Sequence, residues 1–192
     1  MHHLLRSVPV ALIGSLSFLL ACSGADRLPT EQIAPEGAAR FSHGAGPDLS
    51  RIATYKTKPS ITIAWAKKWI GPEGGRLDFY GFAIEVPAGA VEKVTQFSIQ
   101  LPVDPKAGEH AIAEFGPHNV KFLKNVFIEL PYTGTSAEGE GANVLWWNES
   151  VDAWESMGGT VTADGKRART STPHFSTYGT EDRGGQLTTS GG

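Results

Sequence analysis

The chain has 192 residues, with 17 Lys and Arg set against 20 Asp and Glu, for a formal net charge of −3. That length accommodates one ordinary domain plus segments outside it, and the balanced charge offers no basic patch for nucleic acid. The 23 glycines and 12 prolines suit many turns between short strands, and a single cysteine, Cys22, excludes an intramolecular disulfide.

At the amino end, His2, His3 and Arg6 precede an apolar run from Val8 to Leu20. The run has the length of a signal-peptide core and is short for a membrane span. It closes with Leu19-Leu20-Ala21-Cys22-Ser23, which resembles the bacterial lipobox. The resemblance implies a lipoprotein signal peptide over residues 1–21, cleavage between Ala21 and Cys22, and a diacylglyceryl group on the Cys22 thiol. Cysteine suits that chemistry because its thiolate is a strong nucleophile toward a lipid donor. Two or three acyl chains on one terminus hold essentially permanently to a bilayer. The implied partner is therefore a membrane, reached through lipidated Cys22, and Ser23 in place of an aspartate favours the outer over the inner membrane. From Gly24 to Pro59 apolar periodicity vanishes, and prolines and glycines are scattered among polar residues. Such a segment cannot bury enough apolar surface to offset its ordering entropy, so residues 22–60 read as the lipidated cysteine plus a disordered tether.

The folded part is expected over 61–180. Gly74 and Gly75 permit a reversal. Leu77 and Phe79 then alternate with Asp78, and Phe82, Ile84 and Val86 with Ala83 and Glu85, the period of a half-buried strand. Pro87 stops that run, having no amide proton for the ladder. Phe97–Leu101 and Val126–Leu130 repeat the pattern, each stopped by a proline, with a shorter Val120–Phe122 between them. Asp104–His110 reads as a loop. Val144–Asn148 and Ala153–Ser156 flank a four-residue turn, Thr160–Thr162 and Ala168–Thr170 flank Asp164-Gly165, and Phe175–Tyr178 is the last strand. Short strands at this spacing, with no long helical period, predict an all-β chain: a single antiparallel β-sandwich behind a signal peptide and disordered tether. Residues 181–192 read as a flexible tail.

The Gly74-Gly75-x-Leu77 turn followed by Ile84, Val86, Pro87, Gly89, Ala90 and Val91 resembles the ZU-5 domain, a module of ankyrins, netrin receptors and zonula occludens scaffolds that also occurs in bacterial envelope lipoproteins. A second proline is usual in that family where this chain has Ala88. The resemblance implies a β-sandwich acting in protein–protein contact, here with an envelope protein partner, and no cofactor.

Three sets of residues could carry chemistry. His174-Phe175-Ser176 matches a self-cleavage tripeptide of some ZU-5 domains: the resemblance implies that His174 takes the proton from Ser176, whose oxygen attacks the Phe175 carbonyl. The competing structural reading points Phe175 into the core from the last strand. Trp146 and Trp147 must face opposite sides of a strand. An exposed indole there, or Trp154 across the hairpin, could stack on a glycan, whereas a cross-strand aromatic pair is the structural alternative. Finally, His110 and His118 with Glu109 and Glu114 lack a ligand spacing, so no metal is expected. Hydrolase, phosphate-loop and dinucleotide fingerprints are absent, so the chain is read as not an enzyme.

Overall fold

Strand alternation and proline stops generate two antiparallel sheets. A computed structural model describes residues 47–184, which lie within one compact unit. Eleven strands run in chain order: β1 Trp65–Ile70, β2 Gly75–Phe79, β3 Phe82–Val86, β4 Thr95–Gln100, β5 Ile112–Gly116, β6 Val126–Pro131, β7 Val144–Asn148, β8 Ala153–Ser156, β9 Thr160–Val161, β10 Arg167–Thr172 and β11 Thr177–Thr180. One sheet has the order β1-β4-β5-β11-β7-β8 and the other β2-β3-β6-β10-β9. The domain is all-β, and the two sheets form a β-sandwich. The signal-peptide and lipobox residues, the first part of the tether and the tail beyond 184 lie outside the described residues.

The segment Trp69–Val91 builds a hairpin whose turn is Tyr80-Gly81. Both residues have positive φ, 48° and 86°, the conformation that matches the twist of paired strands. Leu77 pairs with Ile84 across it, and both face the core. Gly74 sits at φ 81° with no room for a side chain: a Cβ there would come 2.5 Å from the Val86 carbonyl oxygen. The Gly89 amide donates to the Pro72 carbonyl at 2.8 Å, so the two glycine turns close against each other. Ala90 and Val91 then enter the core.

Between the sheets Phe175 is an aromatic hub. Its ring centroid lies 4.9 Å from that of Phe122, 5.9 Å from that of Phe97 and 6.0 Å from that of Phe115. Tyr178 packs edge-on to Phe115 at 5.7 Å. Contacts of this kind add to the area term of burial.

Four expectations need correction. The folded body begins before residue 61: a 3-10 turn at Leu49–Arg51 is capped by Asp48, and Ile52 and Ala53 are buried. The Ala53 amide donates to the Thr180 carbonyl and its own carbonyl accepts from Ala111, each at 2.8 Å. This strap covers the outer face of the six-stranded sheet, making a second apolar cluster of Ile52, Ile112, Leu145 and Trp154. Gly179 makes room for it, since a Cβ there would lie 2.7 Å from Ile52 Cδ1. At the other end Glu181 is buried and accepts from Arg51 at 2.6 Å, so the fold runs past 180. Val120–Phe122 forms no strand, whereas Ile112–Gly116 does. The last strand starts at Thr177, leaving Phe175 in the connection before it.

Candidate functional site

The end of the β7–β8 hairpin and the connection into β11 enclose a shallow depression of about 240 Å³, bordered by His118, Trp146, Trp147, Glu149, His174 and Ser176. The fold therefore brings together the tripeptide and two of the three tryptophans singled out from sequence. Alternation sends Trp146 toward the core and Trp147 to the outer cluster. Trp146 meets His174 edge-on at 5.0 Å, and among the described residues its Nε1 is a buried donor without a hydrogen-bond partner. Trp147 pairs with Trp154 across the hairpin, ring centroids 5.2 Å apart and T-shaped. Trp154 does not offer its indole to a ligand: it is buried, and its Nε1 donates to the Asp48 carbonyl at 2.7 Å, under the strap.

The tripeptide is held by hydrogen bonds that serve the turn. Ser176 Oγ donates to the Trp147 carbonyl at 3.2 Å, and the Ser176 carbonyl accepts from the Phe115 amide at 2.9 Å. The His174 carbonyl accepts from Thr172 Oγ1 at 2.6 Å and from the Tyr178 hydroxyl at 2.8 Å. Burial pushes that Tyr178 hydroxyl up to about 12, and its bond to Thr172 opposes the rise. The Ser176 hydroxyl thus points at a neighbouring strand, and the hydrogen bonds of the described residues do not join it to His174.

On the rim, His118 Nε2 lies 3.1 Å from a Glu114 carboxylate oxygen. That hydrogen bond raises the imidazole above its ordinary value, with burial opposing and the carboxylate charge assisting. While the carboxylate stays charged, the pair's contribution is fully present below pH 6.5 and is lost as pH rises through the raised value. His110 is elsewhere, its Nδ1 3.0 Å from the Lys106 carbonyl.

Two features escaped the sequence reading. The first is an ion lattice on the outer face of the five-stranded sheet. Glu129 on β6 accepts from Arg76 at 2.6 and 3.0 Å, from Arg167 at 2.9 Å and from Arg169 at 2.6 Å. Asp78 joins Arg76 and Arg167, and Glu85 joins Arg169. Register explains it: Ala83 stands between Asp78 and Glu129, and its small side chain lets Arg76 reach across. The second is an outward row on β1, where Trp65 and Trp69 are 50% and 64% exposed with Lys67 between them. Both follow the period of two in the sequence, but the lattice joins partners on distant strands.

The fold and these surfaces define a β-sandwich module with an aromatic-lined depression. No protein-family model and no curated protein matches the chain, so the likeness to ZU-5 domains rests on the residues quoted for it.

Proposed function

We propose that this protein is a lipid-anchored envelope protein whose ZU-5-like sandwich serves as a non-enzymatic interaction module. The observation that carries the reading is the sequence Leu19-Leu20-Ala21-Cys22 closing the apolar run that begins at Val8, with Cys22 the chain's one cysteine. An ordered body with exposed tryptophans on the edge strand β1 and an aromatic-lined depression beside β7 supports display outside the cytosol to a partner, an envelope protein first of all. Metabolic labelling with palmitate tests it. Wild-type protein should incorporate label and fractionate with membranes, and Cys22→Ser should do neither. Equal labelling of the two forms would refute the anchor.

The depression favours a second reading, glycan binding through Trp146 and Trp147. The edges of Trp146 and Trp147, with Asn148, Glu149, Ser150 and His174 around them, have the mixed character that sugar rings take. Cell-wall oligosaccharides should then shift the intrinsic tryptophan fluorescence, and Trp147→Ala should remove the response. A flat titration of the wild type would discard this reading.

A further inference from the structure

The outer face of β1 carries Trp65, Lys67 and Trp69 in a row, and Ile63, 58% exposed, continues it. Strand geometry places Trp65 and Trp69 about 13 Å apart on one side. The Lys67 ammonium lies 5.1 Å from the Trp65 ring centroid, a cation–π distance. The other side of the strand is structural: Ile70 is buried and Ala66 packs against the core. Across the sheet the row faces Gln100, Ser98 and Gln96, three uncharged residues. In a chain whose net charge is −3, this is a local patch of indoles around one ammonium group; Lys68 lies on the opposite side of the strand, where its Nζ donates to the Arg76 carbonyl at 2.7 Å.

β1 is also the terminal strand of its sheet. The Leu101 amide donates to the Ala64 carbonyl at 2.7 Å, which sets the phase of the ladder. Ala66, Lys68 and Ile70 bond to β4, and the main-chain groups of Trp65, Lys67 and Trp69 face the open edge. Lysine on an open edge discourages pairing with a second copy, because the like charges of two such strands would meet.

We infer that this row is a membrane-interface surface, docking the sandwich on anionic phospholipid. Indoles favour the headgroup level, where their ring is apolar and their N–H remains hydrated. Lysine between them complements phosphate, and long stems let the ammonium reach it. The inference rests on the anchor reading for its source of lipid. Twenty-five residues lie between Cys22 and Asp48, enough to span at most about 90 Å. The strap's first residues lie beside Trp154 on the opposite edge strand, so β1 can face a bilayer without straining that connection.

The test uses the mature chain, residues 22–192, carrying Cys22→Ser so that no acyl chain contributes. It is mixed with vesicles of phosphatidylglycerol and phosphatidylcholine in equal parts, and with vesicles of phosphatidylcholine alone. The expected results are co-sedimentation with the mixed vesicles, a blue shift of tryptophan emission, and binding about fivefold tighter than to phosphatidylcholine, from the one lysine in the row. Trp65→Ala with Trp69→Ala should weaken partition at least about tenfold, with thermal unfolding unchanged because both side chains are exposed. No sedimentation with the mixed vesicles, or equal binding by the double variant, overturns the inference. Binding to insoluble peptidoglycan in place of vesicles, or a dimer lost in the double variant, overturns it and reassigns the row to glycan or to a second copy. Because this chain carries no lipid, failure here leaves palmitate labelling of Cys22 untouched, and failed labelling leaves the partition measurable.

Discussion

Phe175→Ala is expected to lower the unfolding free energy by about 3–5 kcal/mol, a large fraction of the stability of an ordinary domain. The ring is 4% exposed and touches Phe97, Phe115 and Phe122. Removing it leaves a cavity walled by three other aromatic rings on separate segments, which cannot collapse together. Ser176→Ala should cost no more than about 1 kcal/mol, because its hydroxyl makes one partly buried bond to the Trp147 carbonyl. Denaturant unfolding gives both values. The contrast separates the two readings of the tripeptide: a structural device depends on the middle residue, a self-processing one on the serine. Intact mass of the same preparations should show an unbroken wild-type chain. A break before Ser176 that Ser176→Ala abolishes would restore self-processing.

Glu129→Gln should destabilise the sandwich by about 3 kcal/mol at neutral pH and flatten its acid dependence. The Glu129 side chain is 6% exposed beneath three guanidinium groups. Burial alone would raise its carboxyl; the hydrogen bonds from Arg76, Arg167 and Arg169 outweigh burial and hold it down at about 2, against an ordinary 4.5. A depressed folded value contributes stability that is fully present above 4.5 and is lost as pH falls toward 2. The difference corresponds to about 3 kcal/mol. Arg76, the donor to both Glu129 and Asp78, is raised in turn by those hydrogen bonds. Replacing the carboxylate leaves three cations without their shared counter-charge, which is how a broken buried pair becomes costly. Thermal unfolding from pH 2.5 to 7 reads this directly. The wild type should lose stability steeply below pH 4.5, and the variant should lose less, since Asp78 and Glu85, also held below their ordinary values by hydrogen bonds from Arg76 and Arg169, still titrate in it. Parallel curves would mean that the lattice is ornamental.

The strands legible in the sequence are those with a local signal. β3, β4 and the β7–β8 and β9–β10 hairpins carry visible alternation or a turn dipeptide, and Gly165 at φ 74° does what Asp164-Gly165 suggests. β5 was missed for a physical reason. Ile112 and Ala113 are both buried, one under the strap and the other in the main core, so burial on both faces erases the period of two. The strap has the same cause: Ile52 and Ala53 are two apolar residues in a polar segment, and only Gly179, far along the chain, makes a seat for them. The meeting of Trp146 with His174 was equally beyond local pattern, because it depends on β7 and β11 being neighbours. Trp154 was legible as an aromatic partner of Trp147 but not as a buried donor to Asp48. The Glu129 lattice needed the register of four strands, whereas Trp65-x-Lys67-x-Trp69 was readable from spacing once β1 was recognised as a strand.

Mass spectrometry of the amino-terminal peptide, from protein extracted from bacterial membranes, tests the central claim most directly. The account predicts a peptide beginning at Cys22, its sulfur in thioether linkage to a diacylglyceryl group. A free Cys22 thiol, or a peptide that runs through Ala21 into Cys22 uncut, would contradict it.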